Sequence, residues 1–496
     1  MQFARDISLL RTTTFPPKAL FIHGKTMSLL PKIRLKKSFP FVESLKTNTT
    51  TQSSSTKTHF PKNLDAPLVS RKYVVEFDND TSDNPLEILI SDMREIFQNS
   101  KPFPISQPKI DNMTQEPAED NFIGGTFEGV GLTDLLHQVT NTMTNYGQTV
   151  PSRAGETKEL LSVTLMASDP RDRIIRCPER GANVIAQIAE TLWVLGGSNE
   201  LKYLTPFLKR APQFSDDHGN TWRSAYGVRL RAFPSPITGT FDQLQHCIEL
   251  LRNDKTTRRA FITISYPPID HQPGIDVACN VFMSFLVRDN KLNMSVFNRS
   301  NDLIWGFSGI NFFEFSAIQE FVAGCVNLEV GTYTHHTQSL HVYDKYYNVL
   351  DKIYAVKEEQ VTENSKFNPK NHMPFSGCTL GEYDQLFTQY KHRLDTYFNA
   401  KSVREAHDTL AIAAGEFLSL LKTRSNCPIA IYFSIPFLEL IFKDKTFDLN
   451  TKNSLYSQFN TYCSSAVSNS YLQQAVDARF LKNIKEHTEL NNQPII

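Results

Sequence analysis

The run Ile275-Asp276-Val277-Ala278-Cys279-Asn280-Val281-Phe282-Met283-Ser284-Phe285-Leu286-Val287 is followed shortly by Asn298-Arg299-Ser300-Asn301-Asp302 and then by Trp305-Gly306-Phe307-Ser308-Gly309-Ile310-Asn311. The first run reads as a strand that carries a thiol. A thiol on a strand followed by an Arg-Ser-x-Asp cluster reads as a nucleophile beside an anion site. Taken alone, Cys279 is equally a buried structural thiol, the common fate of cysteine. Arginine nearby changes that reading, because positive charge favours the thiolate, which is the actual nucleophile.

Working outward, the chain of 496 residues is long enough for roughly two or three domains and a large core. With 40% hydrophobic and 21% charged residues it has the balance of a soluble globular protein. A formal net charge of zero gives no whole-chain case for nucleic-acid binding, so any anion site must be local. No uncharged apolar run reaches membrane-spanning length, and no membrane partner is expected. The cysteines number seven, without a CxxC pair or Cys/His ligand spacing. That pattern predicts free thiols in a reducing compartment, the cytoplasm, and no metal site.

Residues 1–65 are rich in Ser, Thr, Lys and Arg and read as a disordered tail. Only Asp6 and Glu43 are acidic before Asn63, which also suits organelle targeting. Residues 66–121 read as a small extension and linker, with a short strand at Tyr73–Phe77 and an amphipathic helix over 85–97. The region 122–355 alternates helical patterns (Thr133–Tyr146, Ala182–Leu195, Asn311–Val326) with strand patterns (Arg259–Ser265, Asp276–Val287, Lys291–Asn298). This predicts an α+β fold, a sheet packed against long helices. Residues 356–496 read as a mostly helical extension, with a strand at Ile429–Ile435.

Together with Arg258-Arg259 upstream and Ser339-Leu340-His341-Val342-Tyr343 downstream, these motifs resemble the thymidylate synthase superfamily, which includes phage-type pyrimidine nucleotide hydroxymethylases. The resemblance covers roughly residues 131–347. It implies a thymidylate synthase-like sheet and a Cys279 thiolate that adds to C6 of the pyrimidine. C5, made nucleophilic, then takes a one-carbon unit from 5,10-methylenetetrahydrofolate. It further implies that Arg299 and Ser300 hold the nucleotide phosphate in the same subunit. Arg258 and Arg259 would reach the phosphate in the other subunit's site, making an obligate homodimer. Arginine forks suit phosphate geometry. Arg153, in a more degenerate motif, matches a loop arginine closing over the phosphate. His341 and Tyr343, two apart on a strand, would bond the deoxyribose hydroxyl. Tyr226 would support the catalytic water network, and Asp302 would serve catalysis and the folate pterin.

Two side chains carry chemistry on their own terms. Glu190 lies in Ala189-Glu190-Thr191-Leu192-Trp193. A carboxyl buried on so apolar a helix has a raised pKa and can relay protons near neutrality; outward exposure is the alternative. The family has a proton-relay glutamate in this helix. Asn311 opens a helix, where Asn is ordinarily a cap. In the family this position reads the base, and an amide can donate to O4 and accept from N3–H of uracil at once. Asn311 therefore points to dUMP, although Phe307–Ile310 is one residue longer than the family's spacing.

Two departures from the family bear on the product: synthases usually have His after the nucleophile, where this chain has Asn280, and a short tail that closes over the folate, where this chain continues into a long helical region. The segment Pro212–Gly219 also lacks a tryptophan that would stand against the exocyclic methylene. A weaker seal and an altered aromatic wall favour addition of water, and so a dUMP hydroxymethylase. Thymidylate synthase and a non-catalytic nucleotide-binding member of the family remain as alternatives.

Overall fold

The computed structural model describes residues 33–34, 76–77, 123–423 and 427–491, and the chain divides into two compact units, 1–116 and 117–496. The described part of the first unit is an antiparallel pair of two-residue strands, Ile33–Arg34 and Glu76–Phe77. The helix over 85–97 and the character of the tail lie outside the described residues.

The second unit is α+β, as the alternation predicts. Its sheet contains β1 (Ile123–Gly129), β2 (Gln148–Ser152), β3 (Gly155–Ala167), β4 (Phe261–Thr263), β5 (Asn280–Arg288), β6 (Lys291–Asn298), β7 (Asn301–Asp302) and β8 (Glu329–Tyr343). The order is β1-β3-β8-β6-β5-β4, with β2 paired to β3 and β7 to β8. β8 runs parallel to β6 and antiparallel to β3, so the sheet is mixed. One face packs on helices. On the other, Phe261, Phe282, Phe297 and His336 form a ladder across four strands, with ring centroids 5.8, 5.3 and 4.4 Å apart. Phe261 is 50% exposed and Phe297 39%.

The helices α1 (Leu132–Tyr146), α2 (Val184–Leu195), α3 (Tyr226–Arg231), α4 (Gln243–Asn253) and α5 (Phe312–Cys325) cover the inner face and its flank. In α2 the Asn183 side chain caps the first turn, accepting from Ala186 N, and Gly196 ends the helix. Almost all of α2 and α5 is buried; apolar residues lie all round both, with Glu314, Gln319 and Glu320 enclosed among them in α5.

Beyond α6 (Tyr347–Tyr354) come α7 (Leu380–Phe398), α8 (Val403–Thr423), α9 (Ile429–Lys443), α10 (Leu449–Ala466) and α11 (Tyr471–Asn491). α7 opens with a capping box between Thr379 and Glu382. The strand expected at Ile429–Ile435 is instead the first half of α9. This helix is buried on every side, so its apolar run has no period to separate helix from strand. α9 packs against α2, and Tyr432 donates to Met373 O at 2.6 Å. The sequence boundary at 355/356 is thus not a break in packing: both sides share one hydrophobic core.

Candidate active site

Cys279 sits in a bend one residue before β5, not within the strand as its sequence suggested. The β5–β6 register slips between Phe297 and Asn298, so that Asn298 faces Asn280 while Phe297 faces Phe282. This bulge at Val281 breaks the strand's alternation and turns Asn280 into the core. The Arg299 backbone N–H donates to Cys279 O at 3.0 Å. Its guanidinium donates to Ala278 O (2.9 Å) and Val277 O (3.1 Å), and Nη2 lies 3.8 Å from the Cys279 Sγ. Burial nevertheless pushes the thiol above its ordinary value. Arg299 opposes this, while Asp276 and Asp302 add to it. The arginine-stabilised thiolate expected from sequence is therefore not the resting state: desolvation outweighs one guanidinium, and Arg258 and Arg259 are not among the groups acting on the sulfur.

Tyr343 shows how the remaining residues gather. Burial raises its hydroxyl pKa, Asp302 and Cys279 raise it further, and Arg153 and Arg299 lower it. Arg153, Cys279, Arg299 and Asp302, far apart in sequence, thus gather round Tyr343. Arg153 occupies the exposed turn between β2 and β3, which Ser152 closes by donating to Gly155 O at 2.6 Å. His341, mostly buried, lies edge-on to the Tyr343 ring at 5.1 Å. Asp302 pairs with His341 in the β7–β8 register. Ser300 lies between Arg299 and β7, half buried.

The extra residue in Phe307–Ile310 has a structural answer. Residues Leu303–Asn311 form a π-helix that runs directly into α5. A wider turn absorbs one residue without displacing the helix beyond it. Asp302 caps it, its Oδ1 accepting from Ile304 N (2.6 Å) and Trp305 N (2.7 Å). Arg180, buried, donates to Ser308 Oγ at 2.8 Å and to Ile304 O, and Gln187 donates to Gly309 O at 2.6 Å. Two of these bonds give backbone carbonyls of the π-helix, Ile304 O and Gly309 O, a buried donor. At its end, Asn311 Oδ1 accepts from Asn301 Nδ2 at 3.1 Å.

Beneath the cleft is a buried carboxyl pair. Glu190 on α2 has its Oε2 sealed from solvent and unpartnered, although part of the side chain reaches the surface. Burial pushes its pKa up to about 8, as its apolar helix predicted. Glu314 on α5 is 0% exposed with both oxygens unpartnered; burial, and then Glu190, raise it well above the carboxylate range. Tyr226 lies close by, its hydroxyl accepting from Asn280 N at 3.2 Å and its ring stacked on Phe315. From Asn280 a buried chain of amide and ring bonds leads inward. Asn280 Nδ2 donates to Asn298 Oδ1 (3.1 Å), and Asn298 Nδ2 donates to His335 Nε2 (3.0 Å). His335 Nδ1 then meets the Tyr333 hydroxyl at 2.8 Å. Burial lowers His335 to about 3, so the ring is neutral; with Nε2 accepting, Nδ1 carries the hydrogen.

Residues 135–386 match the thymidylate synthase family. The chain is 34% identical over 283 residues to a deoxyuridylate hydroxymethyltransferase of Bacillus phage SP01, covering 53% of this chain and 73% of that protein. It is 35% identical over 219 residues to the enzyme of the same name from Delftia phage PhiW-14, covering 42% and 59%. A putative thymidylate synthase of Methanosarcina acetivorans is 29% identical over 238 residues, covering 47% and 97%.

This chain belongs to the thymidylate synthase family. Within that family site, sequence reasoning missed Glu314, whose helix shows no periodicity to flag a buried acid. It missed Arg180 and Asp276, which act by bracing backbone. Asp276 is buried and accepts from both Ser224 N, at 3.0 Å, and Ser224 Oγ. It also missed the aromatic pair Phe214–Trp305, edge-to-face at 5.2 Å. Arg258 and Arg259 remain apart from the cluster. Both are exposed in the segment before β4, and among the described residues neither pairs with a carboxylate of its own chain.

Proposed function

We propose that this protein transfers a one-carbon unit from 5,10-methylenetetrahydrofolate to C5 of dUMP and releases hydroxymethyl-dUMP. The observation that carries the reading is Cys279 beside the Arg299 guanidinium, with Asp302, Tyr343 and Arg153 gathered round them. Methylenetetrahydrofolate supplies the one-carbon unit. Exposed Phe214 and half-buried Trp305, set edge-to-face beside the Asp302-capped π-helix, offer aromatic surface on which one face of its ring system fits. Arg299, Ser300 and Arg153 take the phosphate, His341 and Tyr343 the sugar, and Asn311 the base. Cys279 adds to C6, Glu190 exchanges protons with the pyrimidine carbonyl, and Tyr226 orders water nearby.

The hydroxymethyl product is favoured by Asn280. Its side chain is fully buried, with the amide nitrogen donating to Asn298 and Oδ1 enclosed without a partner. The two phage relatives bear that activity in their names. The enzyme acts as a homodimer in this reading. The exposed aromatic ladder supplies the apolar contact, and Arg258 and Arg259 find their anion on the second copy. Incubation with dUMP and methylenetetrahydrofolate, followed by mass analysis, decides the product. Hydroxymethyl-dUMP with tetrahydrofolate is expected; thymidylate with dihydrofolate would make the protein a synthase.

A further inference from the structure

Three of the four oxygens of Glu190 and Glu314 are buried without a hydrogen-bond partner, in a site where such an atom is costly. The helices that carry them, α2 and α5, pack together. The groups facing the pair are Tyr226 from α3 and Tyr333 from β8, and no cation acts on either carboxyl. Two desolvated carboxyls without a cation cannot both ionise. Glu314 is wholly enclosed, whereas Glu190 reaches the cleft, so any charge resides on Glu190. A proton kept on Glu314 removes the conflict, because it turns one orphaned oxygen into a donor while the orphaned Oε2 of Glu190 still lacks a donor.

We propose that Glu314 is a positioning residue for Glu190: a neutral carboxyl that donates its O–H to the sealed Oε2 of Glu190, so that the pair carries at most one charge. Glu190 alone then exchanges protons at the cleft, and the Glu314 proton never leaves. This role rests on Glu190 acting as the proton relay, but the arrangement itself exists without substrate.

The test uses the full chain and three forms: wild type, Glu314→Gln, which keeps a donor, and Glu314→Leu, which removes it. Infrared titration without substrate should show, in wild type, a protonated-carboxyl band that persists at pH values where Glu190 has ionised. That band should vanish in Glu314→Gln. With substrate, Glu314→Gln should keep turnover within about threefold and leave the alkaline limb of the pH–rate profile in place. Glu314→Leu should move that limb upward by on the order of one pH unit, because ionised Glu190 loses its donor. Persistence of the band in Glu314→Gln overturns the proposal. So does loss of turnover in Glu314→Gln with its band already gone in wild type, which would mean that Glu314 works ionised. An unmoved limb in Glu314→Leu overturns it as well. Should Glu314→Leu fail to fold, the infrared band in wild type and Glu314→Gln decides. A persistent band in a protein that transfers no one-carbon unit would sink the proposed reaction and leave the pair standing.

Discussion

At the scale of single residues, the site sets desolvation against charge. Cys279 rests as a thiol because burial outweighs Arg299. Its alkylation by iodoacetamide should therefore keep accelerating past the pH at which a free cysteine levels off. Arg299→Ala removes the one opposing cation and should slow alkylation at neutral pH, by up to about tenfold for a shift of one unit. Cys279→Ser identifies the reacting sulfur, and equal rates in the arginine variant would show that Arg299 only holds backbone. Asn311 presents the second test. Asn301 donates to its Oδ1, which leaves one lone pair for N3–H of uracil and the amide N–H groups for O4. Asn311→Asp keeps the acceptor and loses the donor. The ratio of kcat/KM for dCMP over dUMP should rise by orders of magnitude, and an unchanged ratio would move Asn311 out of the base site. That Cys279, Arg299, Asp302, Tyr343 and Arg153 gather was legible because their motifs stand in a recognisable order along the sequence. Glu314 was not, since α5 holds two acids, Glu314 and Glu320, and the sequence does not say which is paired and which is not.

At the scale of elements, the π-helix shows how an irregular spacing is taken up just before Asn311, at the start of α5. A linear reading could count the extra residue but not see that a wider turn would hold it, because the bonds that stabilise the turn come from Arg180 and Gln187, more than a hundred residues away. The same limit applies to α9, whose burial on every side erased its period. A third element, the junction between α5 and the C-terminal helices, rests on an ion network. Arg173 donates to Glu320 at 2.7 Å, His372 meets it at 2.8 Å, and Phe375 N donates to it at 3.1 Å. Burial alone would raise Glu320, but His372 and Arg173 prevail and pull it down to about 2. A carboxyl depressed in the folded state stabilises the protein above its ordinary value of 4.5, and that stability fades as pH falls towards 2. Glu320→Gln strands the buried Arg173 guanidinium and should cost about 3–5 kcal/mol at neutral pH. The difference from wild type, followed by denaturant unfolding, should shrink through that acid window. A constant difference would show that the network adds packing and no charge term.

At the scale of the whole molecule, the question is what Arg258 and Arg259 serve. They are exposed before β4 and outside the cluster around Cys279, yet the family resemblance makes them phosphate ligands. Both statements hold if each pair completes the site of a second copy, seated against the exposed face of Phe261, Phe282, Phe297 and His336. Twofold symmetry then makes the interface self-complementary, with two sites each built from both chains. Arg258→Ala weakens the partner's site, and Cys279→Ala disables its own, so each variant alone should be inactive or nearly so. Exchanged into one dimer, the two lesions fall in the same site and leave the other intact. Equal mixing makes about half of the dimers mixed, each with one good site of two, so about a quarter of wild-type activity should return. Subunit exchange must be verified with tagged chains, and the recovered activity should saturate with exchange time. If exchange is complete and no activity returns, the arginines do not act across an interface. A monomer by sedimentation with full activity would dismiss the shared site altogether, and would require the phosphate to be held by Arg299, Ser300 and Arg153 alone.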